Sequence, residues 1–211
     1  MYDYLRDPDG IYKKSFSIVK AETDFSGISP NIETIITRII HSCGMPEIME
    51  DLAFHPDIAG ACRGALLHKN PILCDCEMVR HGIIRRFLPD GVDVVCTLQD
   101  KTVPERAKSI GNTRSAAAVE LWQDQLEGAI AVFGNAPTAL FHLLELLEAG
   151  APRPAAIIGF PVGFVGAAES KQALIDSKLG IPFITIKGRR GGSAMAAAAL
   201  NGAASLLRKD A

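Results

Sequence analysis

The chain reads as an α/β protein. The expected architecture is a doubly wound, mostly parallel five-stranded sheet with helices on both faces, preceded by a helical N-terminal region. Three observations predict this. From about Asn70 onward, short β-rich runs alternate with longer amphipathic or alanine-rich segments. The runs are apolar and nearly continuous, as expected for strands covered on both faces. Such alternation gives parallel strands joined by right-handed crossovers. Glycine-rich turns follow the later strands, and sheets of this kind bind ligands outside the carboxyl ends of their strands.

Residues 1–30 have mixed polarity and no clear period, so they read as an arm or lid. Asn31–Ser42 reads as a helix, with Ile32, Ile35, Ile36, Ile39 and Ile40 on a wide apolar stripe. Gly44 ends it and Pro46 follows. Asp57–Lys69 reads as a second helix, and Leu66–Pro71 holds a short turn. The expected strands are Ile72–Asp75, Val92–Leu98, Ala129–Phe133, Ala155–Phe160 and Phe183–Lys187. Between and after them lie helices over Glu77–Phe87, Ser115–Glu127, Thr138–Ala149, Ala167–Lys178 and Ser193–Arg208. No repeat, low-complexity tract or long linker divides the chain, so residues 1–211 read as one domain.

Bulk properties narrow the function. Hydrophobic residues make up 48% and charged residues 22%, ordinary values for a globular protein. The net charge of −2 gives no support for a nucleic-acid role, so any anion site must be a local cluster. No apolar run approaches the roughly 20 residues that cross a bilayer. The polar, acidic N-terminus does not resemble a signal peptide, which points to the cytoplasm. Five cysteines without a regular framework argue for reduced thiols. Cys74-Asp-Cys76 lacks a matching second pair, so core packing is preferred over a metal site there.

Two stretches carry most of the chemistry. Gly159-Phe-Pro-Val-Gly-Phe-Val-Gly-Ala-Ala-Glu-Ser-Lys171 and Lys187-Gly-Arg-Arg-Gly-Gly-Ser-Ala-Met195 each join a strand to a helix through a glycine-rich turn. Each places cations (Lys171, Arg189, Arg190) beside a helix start, where the macrodipole favours anions. Gly111-Asn-Thr-Arg-Ser-Ala-Ala-Ala118 repeats the arrangement, with Thr113 as N-cap and Arg114 in the first turn. One such arginine is ordinary. Three junctions at one sheet edge predict a pocket for a ligand with several carboxylates or phosphates. Neither the P-loop nor the dinucleotide fingerprint fits these turns. His41 falls at the C-terminus of its helix, where the dipole favours the protonated ring, making it a candidate general acid. The bland alternative is a histidine that caps its own helix.

At this point a resemblance becomes specific. Tyr2-Asp-Tyr-Leu-Arg6, Ser15-Phe-Ser-Ile18, His41-Ser-Cys-Gly44, Pro71-Ile-Leu-Cys-Asp-Cys-Glu-Met-Val79, Gly111–Ala118, Gly134-Asn-Ala-Pro-Thr-Ala-Leu-Phe141, Gly159–Lys171 and Gly191-Gly-Ser-Ala-Met195 together resemble the precorrin-8X methylmutases of cobalamin biosynthesis. The resemblance runs over nearly the whole chain. It implies an α/β homodimer with its active site near the dimer interface. The implied reaction is migration of a methyl group from C11 to C12 of the tetrapyrrole precorrin-8X, giving hydrogenobyrinate. No metal or redox cofactor is implied. His41 matches the catalytic histidine, which would protonate or hydrogen-bond a pyrrolic nitrogen. Arg114 matches a carboxylate-gripping position. Ser15, Lys171 and Arg189 are expected at the substrate's rim, and Gly163 and Gly192 at its glycine-permissive floor. The alternatives are a cobalt-precorrin-8 methylmutase, a non-catalytic tetrapyrrole carrier, and a nucleotide-binding α/β module.

Overall fold

The computed structural model describes residues 2–208. In chain order its elements are α1 (Pro8–Glu22), α2 (Pro30–Cys43), β1 (Leu52–Phe54), α3 (Ile58–Leu67), β2 (Ile72–Cys74), α4 (Glu77–Gly82), β3 (Val94–Cys96), α5 (Val103–Ser109), α6 (Arg114–Val119), β4 (Ile130–Phe133), α7 (Pro137–Glu148), β5 (Ala156–Gly159), α8 (Ala167–Asp176), β6 (Phe183–Ile186) and α9 (Ser193–Leu206).

Among the described residues these strands form one sheet in the order β1-β6-β5-β4-β2-β3. The five expected strands are present and parallel to one another. The strand count needs one correction: β1 adds a sixth, antiparallel edge strand, pairing Leu52 with Ile186 and Phe54 with Ile184. The order reverses between β2 and β4, because the chain leaves β2 for β3 on one side and returns to β4 on the other. The crevice of a doubly wound sheet opens at such a switch point. Asp75, just past β2, spans it. Its carboxylate accepts the N–H groups of Gly134, Asn135 and Ala136 at 3.0, 2.9 and 2.8 Å, fixing the loop that leaves β4.

The sheet is covered on both faces, which is why β2, β4 and β5 are fully buried. One face packs against the isoleucine stripe of α2, with α3, α4 and α9. The other packs around Trp122, Phe133, Leu140 and Leu143, with α7 and α8. Alanine dominates α9 because α2 lies hard against it. At Gly202 an added Cβ would come within 2.7 Å of the Ile35 Cα, so no larger residue fits there.

The stretch expected to be an arm or lid contains α1, started by Pro8 and capped by Asp7, whose side chain accepts from Asp9 N and Gly10 N. Two further expectations are corrected. The helices expected over Glu77–Phe87 and Ser115–Glu127 are each shorter and give way to 3₁₀ turns, at Arg85–Phe87 and Glu120–Gln125. In the first case Asn201 holds the break. Its Oδ1 accepts from Ile84 N at 2.8 Å and its Nδ2 donates to Gly82 O at 2.9 Å.

Candidate functional site

His41 lies in the last turn of α2, which Gly44 ends by donating its N–H to Ile40 O. The helix places the ring toward α1, and α1 supplies its surroundings. The Ser15 hydroxyl and His41 Nδ1 are 2.8 Å apart. The Tyr12 and Phe16 rings meet the imidazole edge-on, with centroids 5.4 and 5.3 Å away. The histidine therefore does not cap its own helix. When Ser15 donates to Nδ1, the ring hydrogen sits on Nε2, and Nε2 has no partner among the described residues.

The imidazole opens onto a cavity of about 270 Å³, whose lining includes Tyr12, Arg38, Gly82, Ile84 and Ala194. Ala194 belongs to the first turn of α9 and so joins the His41 wall to the carboxyl edge of the sheet. Small residues there leave room for a flat ligand.

Beyond Ala194, the carboxyl edge of the sheet carries the pair of glycine-rich turns after β5 and β6, which are not in the lining of this cavity. Gly192 N donates to Phe160 O at 2.8 Å, and Gly163 N reaches Arg189 O at 3.4 Å, so the turns after β5 and β6 are laced together. Gly163 and Gly192 both take φ values open to glycine, +142° and +119°. Gly191 is the tightest point: at φ +156°, an added Cβ would lie 2.6 Å from Phe160 O and 2.7 Å from Pro161 O.

Lys171 is not at the rim, where the sequence had placed it. It is fully buried beneath these turns and its ammonium donates to Arg190 O. Burial pulls its pKa down to about 8. Arg190 is taken by Asp51 at 2.6 Å, with Glu47 at 3.8 Å. Arg189 remains at the surface, 5.4 Å from the centroid of the Phe164 ring. Phe164 and Val165 form an apolar loop tip, 84% and 89% exposed.

Arg114 opens α6 behind the Thr113 cap, as expected, and its only hydrogen bond among the described residues is a 3.4 Å contact with Leu98 O. It does not line the His41 cavity within this chain. Ser15 does meet His41. Sequence reasoning gave no role to Tyr12, Phe16 or Arg38, because their meeting with His41 depends on α1 packing against α2.

No thiol is activated. Burial pushes Cys62 up to about 12 and Cys96 to about 11, and raises Cys43, Cys74 and Cys76 as well. Among the described residues no group of three His, Cys, Asp or Glu side chains could hold a metal ion. None of the described helices is long and apolar enough to cross a membrane.

A doubly wound sheet with an anchored imidazole and a small-residue cavity at its carboxyl edge defines an α/β enzyme built for a broad ligand. Comparison with known proteins makes this particular. Residues 10–206 match the family model described as CbiC, precorrin-8X methylmutase. Proteins named precorrin-8X methylmutase from Sinorhizobium sp. and Pseudomonas aeruginosa are 54% and 53% identical, over 95% of this chain and 95% and 97% of theirs. The solved precorrin-8X methylmutase structure from Thermus thermophilus superposes with a TM-score of 0.86 at 35% identity, covering 96% of this chain and 97% of that one. A cobalt-precorrin-8 methylmutase from Salmonella typhimurium is 38% identical, over 94% of this chain and 95% of its own. The chain belongs to the precorrin-8X methylmutase family, a family of isomerases.

Proposed function

We propose that the protein is an isomerase of cobalamin biosynthesis that moves a methyl group from C11 to C12 of precorrin-8X, giving hydrogenobyrinate. One observation carries the chemical reading: His41 is anchored through Nδ1 by Ser15, while Nε2 is free to face the cavity. An Nε2–H donor directed at a pyrrolic nitrogen draws electron density from the conjugated system. That eases a suprafacial 1,5-shift, in which the C11–CH₃ bond breaks as the C12–CH₃ bond forms. The electron count of the macrocycle is unchanged, so the reaction requires no redox partner.

The remaining parts suit a flat macrocycle fringed by acetates and propionates. The turns around Gly163 and Gly192 let backbone approach its face, and Arg189 stands at their edge as a cation for a side arm. Arg114 lies away from the His41 cavity, and in this reading it acts from a second subunit. The apolar tip formed by Phe164 and Val165 supports a homodimer with the site near the interface, since such a tip favours cover by another surface. The five free cysteines suit a reducing compartment, the cytoplasm.

Incubating the purified protein with precorrin-8X tests the reading, because the migration alters conjugation and hence the absorption spectrum. Conversion by wild type and none by His41→Ala supports catalysis. Binding without conversion by wild type would leave only the carrier. A second reading, action on cobalt-precorrin-8, is favoured by the 38% identical relative of that name. Parallel assays with the two substrates decide between them.

A further inference from the structure

Arg38 stands one turn before His41 on α2, and its surroundings are unusual for a guanidinium. Its central carbon lies 5.5 Å from the Tyr12 ring centroid, 5.7 Å from Phe16 and 4.9 Å from Phe87. Its Nε is buried and has no hydrogen-bond partner. No described carboxylate pairs with it. Burial accordingly depresses its pKa. Aromatic faces and a side-chain hydrogen bond with Tyr12 offset part of the cost of a desolvated cation, but Nε is left unused.

Arg38 lines two cavities. One is the His41 cavity. The other, about 350 Å³, lies between α1, α2 and the end of α9, and its lining includes Phe16, Lys20, Thr37, Phe87 and Arg208. Lys20 is committed to Glu33 at 2.5 Å. Arg208 lies 5.5 Å from the Phe87 centroid and is also in no ion pair among the described residues. Thr37 is 2% exposed, and its hydroxyl has no partner. A helical threonine can return its hydroxyl to the carbonyl four residues back, as Thr34 does to Pro30 O at 2.9 Å. Thr37 leaves that bond unmade. Two guanidinium groups and an unused buried hydroxyl thus face one cavity walled by two phenylalanine rings. Buried polar groups rarely go unpaired without a ligand or water to meet them. The donor set is that of a carboxylate site: planar forks that bind both oxygens, with a hydroxyl at the side.

We propose that this cavity is a carboxylate subsite, formed by Arg38, Arg208 and Thr37, for a peripheral arm of the tetrapyrrole whose ring sits at His41. The inference rests on the functional reading above and extends it. The arm is favoured over an independent small acid because Arg38 is common to both cavities, so one ligand can occupy them together. The subsite makes the enzyme selective for the free acid over the amide or ester at that arm, since neither of those carries the charge the two guanidinium groups require.

The test is a titration of hydrogenobyrinate into wild type, Arg38→Met, Arg208→Ala and Thr37→Val at fixed ionic strength, with circular dichroism to confirm folding. A charge-assisted bond is worth about 1.5–3 kcal/mol, so Arg38→Met is expected to weaken binding roughly 10- to 100-fold. Arg208→Ala is expected to cost roughly 3- to 10-fold, and Thr37→Val about 2- to 5-fold. If Arg38→Met does not fold, the other two variants decide. Unchanged affinity in the folded variants overturns the subsite. If citrate then still raises the melting temperature of wild type but not of Arg208→Ala, the cavity belongs to a free carboxylate and the assignment to an arm is wrong. Failure of wild type to bind hydrogenobyrinate would instead remove the functional reading, and this proposal with it.

Discussion

The two regions proposed to hold the substrate are built in opposite ways. The His41 wall is made of side chains. Ser15, Tyr12 and Phe16 reach it from α1, a helix whose only fully buried residue is Val19. The glycine-rich edge is made of backbone, with the turns after β5 and β6 bonded to one another and pinned from below by buried Lys171. The imidazole therefore stands on the firmly packed α2 while its surroundings come from a lightly anchored helix, and the glycine-rich edge is laced backbone. A lightly anchored element can adjust around a large ligand, whereas a laced floor cannot. Changes in the first region should cost turnover without unfolding the protein. Changes in the second should cost the fold.

The sharpest division comes from His41→Ala. Loss of a general acid should slow turnover by about 10²- to 10⁴-fold. Because the ring is exposed, the thermal midpoint should stay within a few degrees of wild type. Steady-state kinetics and a melting curve read the two effects separately. A large drop in the midpoint would mean that α1 depends on this contact for its docking, and the comparison between the two regions would break. Gly191→Ala is the converse. Its Cβ would sit 2.6 Å from Phe160 O in a conformation that suits glycine, so a loss of about 2–4 kcal/mol is expected in urea unfolding. An unchanged midpoint would show that the floor can yield.

Lys171 gives the floor a pH signature. Its pKa is about 8 in the fold against 10.5 for the free side chain. The unfolded chain thus binds more protons between those values, and stability must rise with pH across that window. The burial cost is fully present below about pH 8 and is relieved as the amine deprotonates. The shift corresponds to at most about 3 kcal/mol. Urea midpoints at pH 7 and pH 10 should therefore differ between wild type and Lys171→Met, with the wild type gaining more on going to pH 10. Equal gains would mean that the buried ammonium is better compensated than its one carbonyl partner implies. Arg114→Ala follows in size. If the guanidinium grips substrate from a second subunit, KM should rise roughly tenfold at matched salt, as expected for one lost charge-assisted bond. An unchanged KM would count against its grip on substrate.

Legibility in the sequence followed the same division. The floor was readable, because glycine-rich turns at strand ends and a Thr113 cap are local signals, and each lies where it was expected. His41 and the isoleucine face of α2 were readable for the same reason. What escaped depends on distant partners. The helix from Glu77 was expected to run on through apolar Ile83 and Ile84. It stops at Gly82, where Asn201, more than a hundred residues later, takes the Ile84 N–H and donates to the Gly82 carbonyl. β1 is three residues long and owes its existence to β6. α1 buries too little to show a period, although Asp7 and Pro8 mark its start. Without α1 the aromatic surroundings of His41 and Arg38 could not be assembled, and the burial of Lys171 depends on the distant Arg190 turn that closes over it.

The smallest expected effect tests the His41 wall from the side of α1. Ser15 does not touch the reacting carbons in the proposed reaction; it fixes the imidazole through Nδ1 at 2.8 Å. Ser15→Ala removes an anchoring bond worth about 1 kcal/mol, so kcat should fall by roughly fivefold and the fold should be unaffected. The informative readout is the pH profile of kcat. Nδ1 loses a hydroxyl partner that serves as acceptor when the ring is protonated and as donor when it is neutral. Ser15→Thr keeps the hydroxyl and should restore the wild-type profile. A fall in kcat with an unmoved profile would make Ser15 a packing residue between α1 and α2, and the histidine would then be held by the Tyr12 and Phe16 ring edges alone.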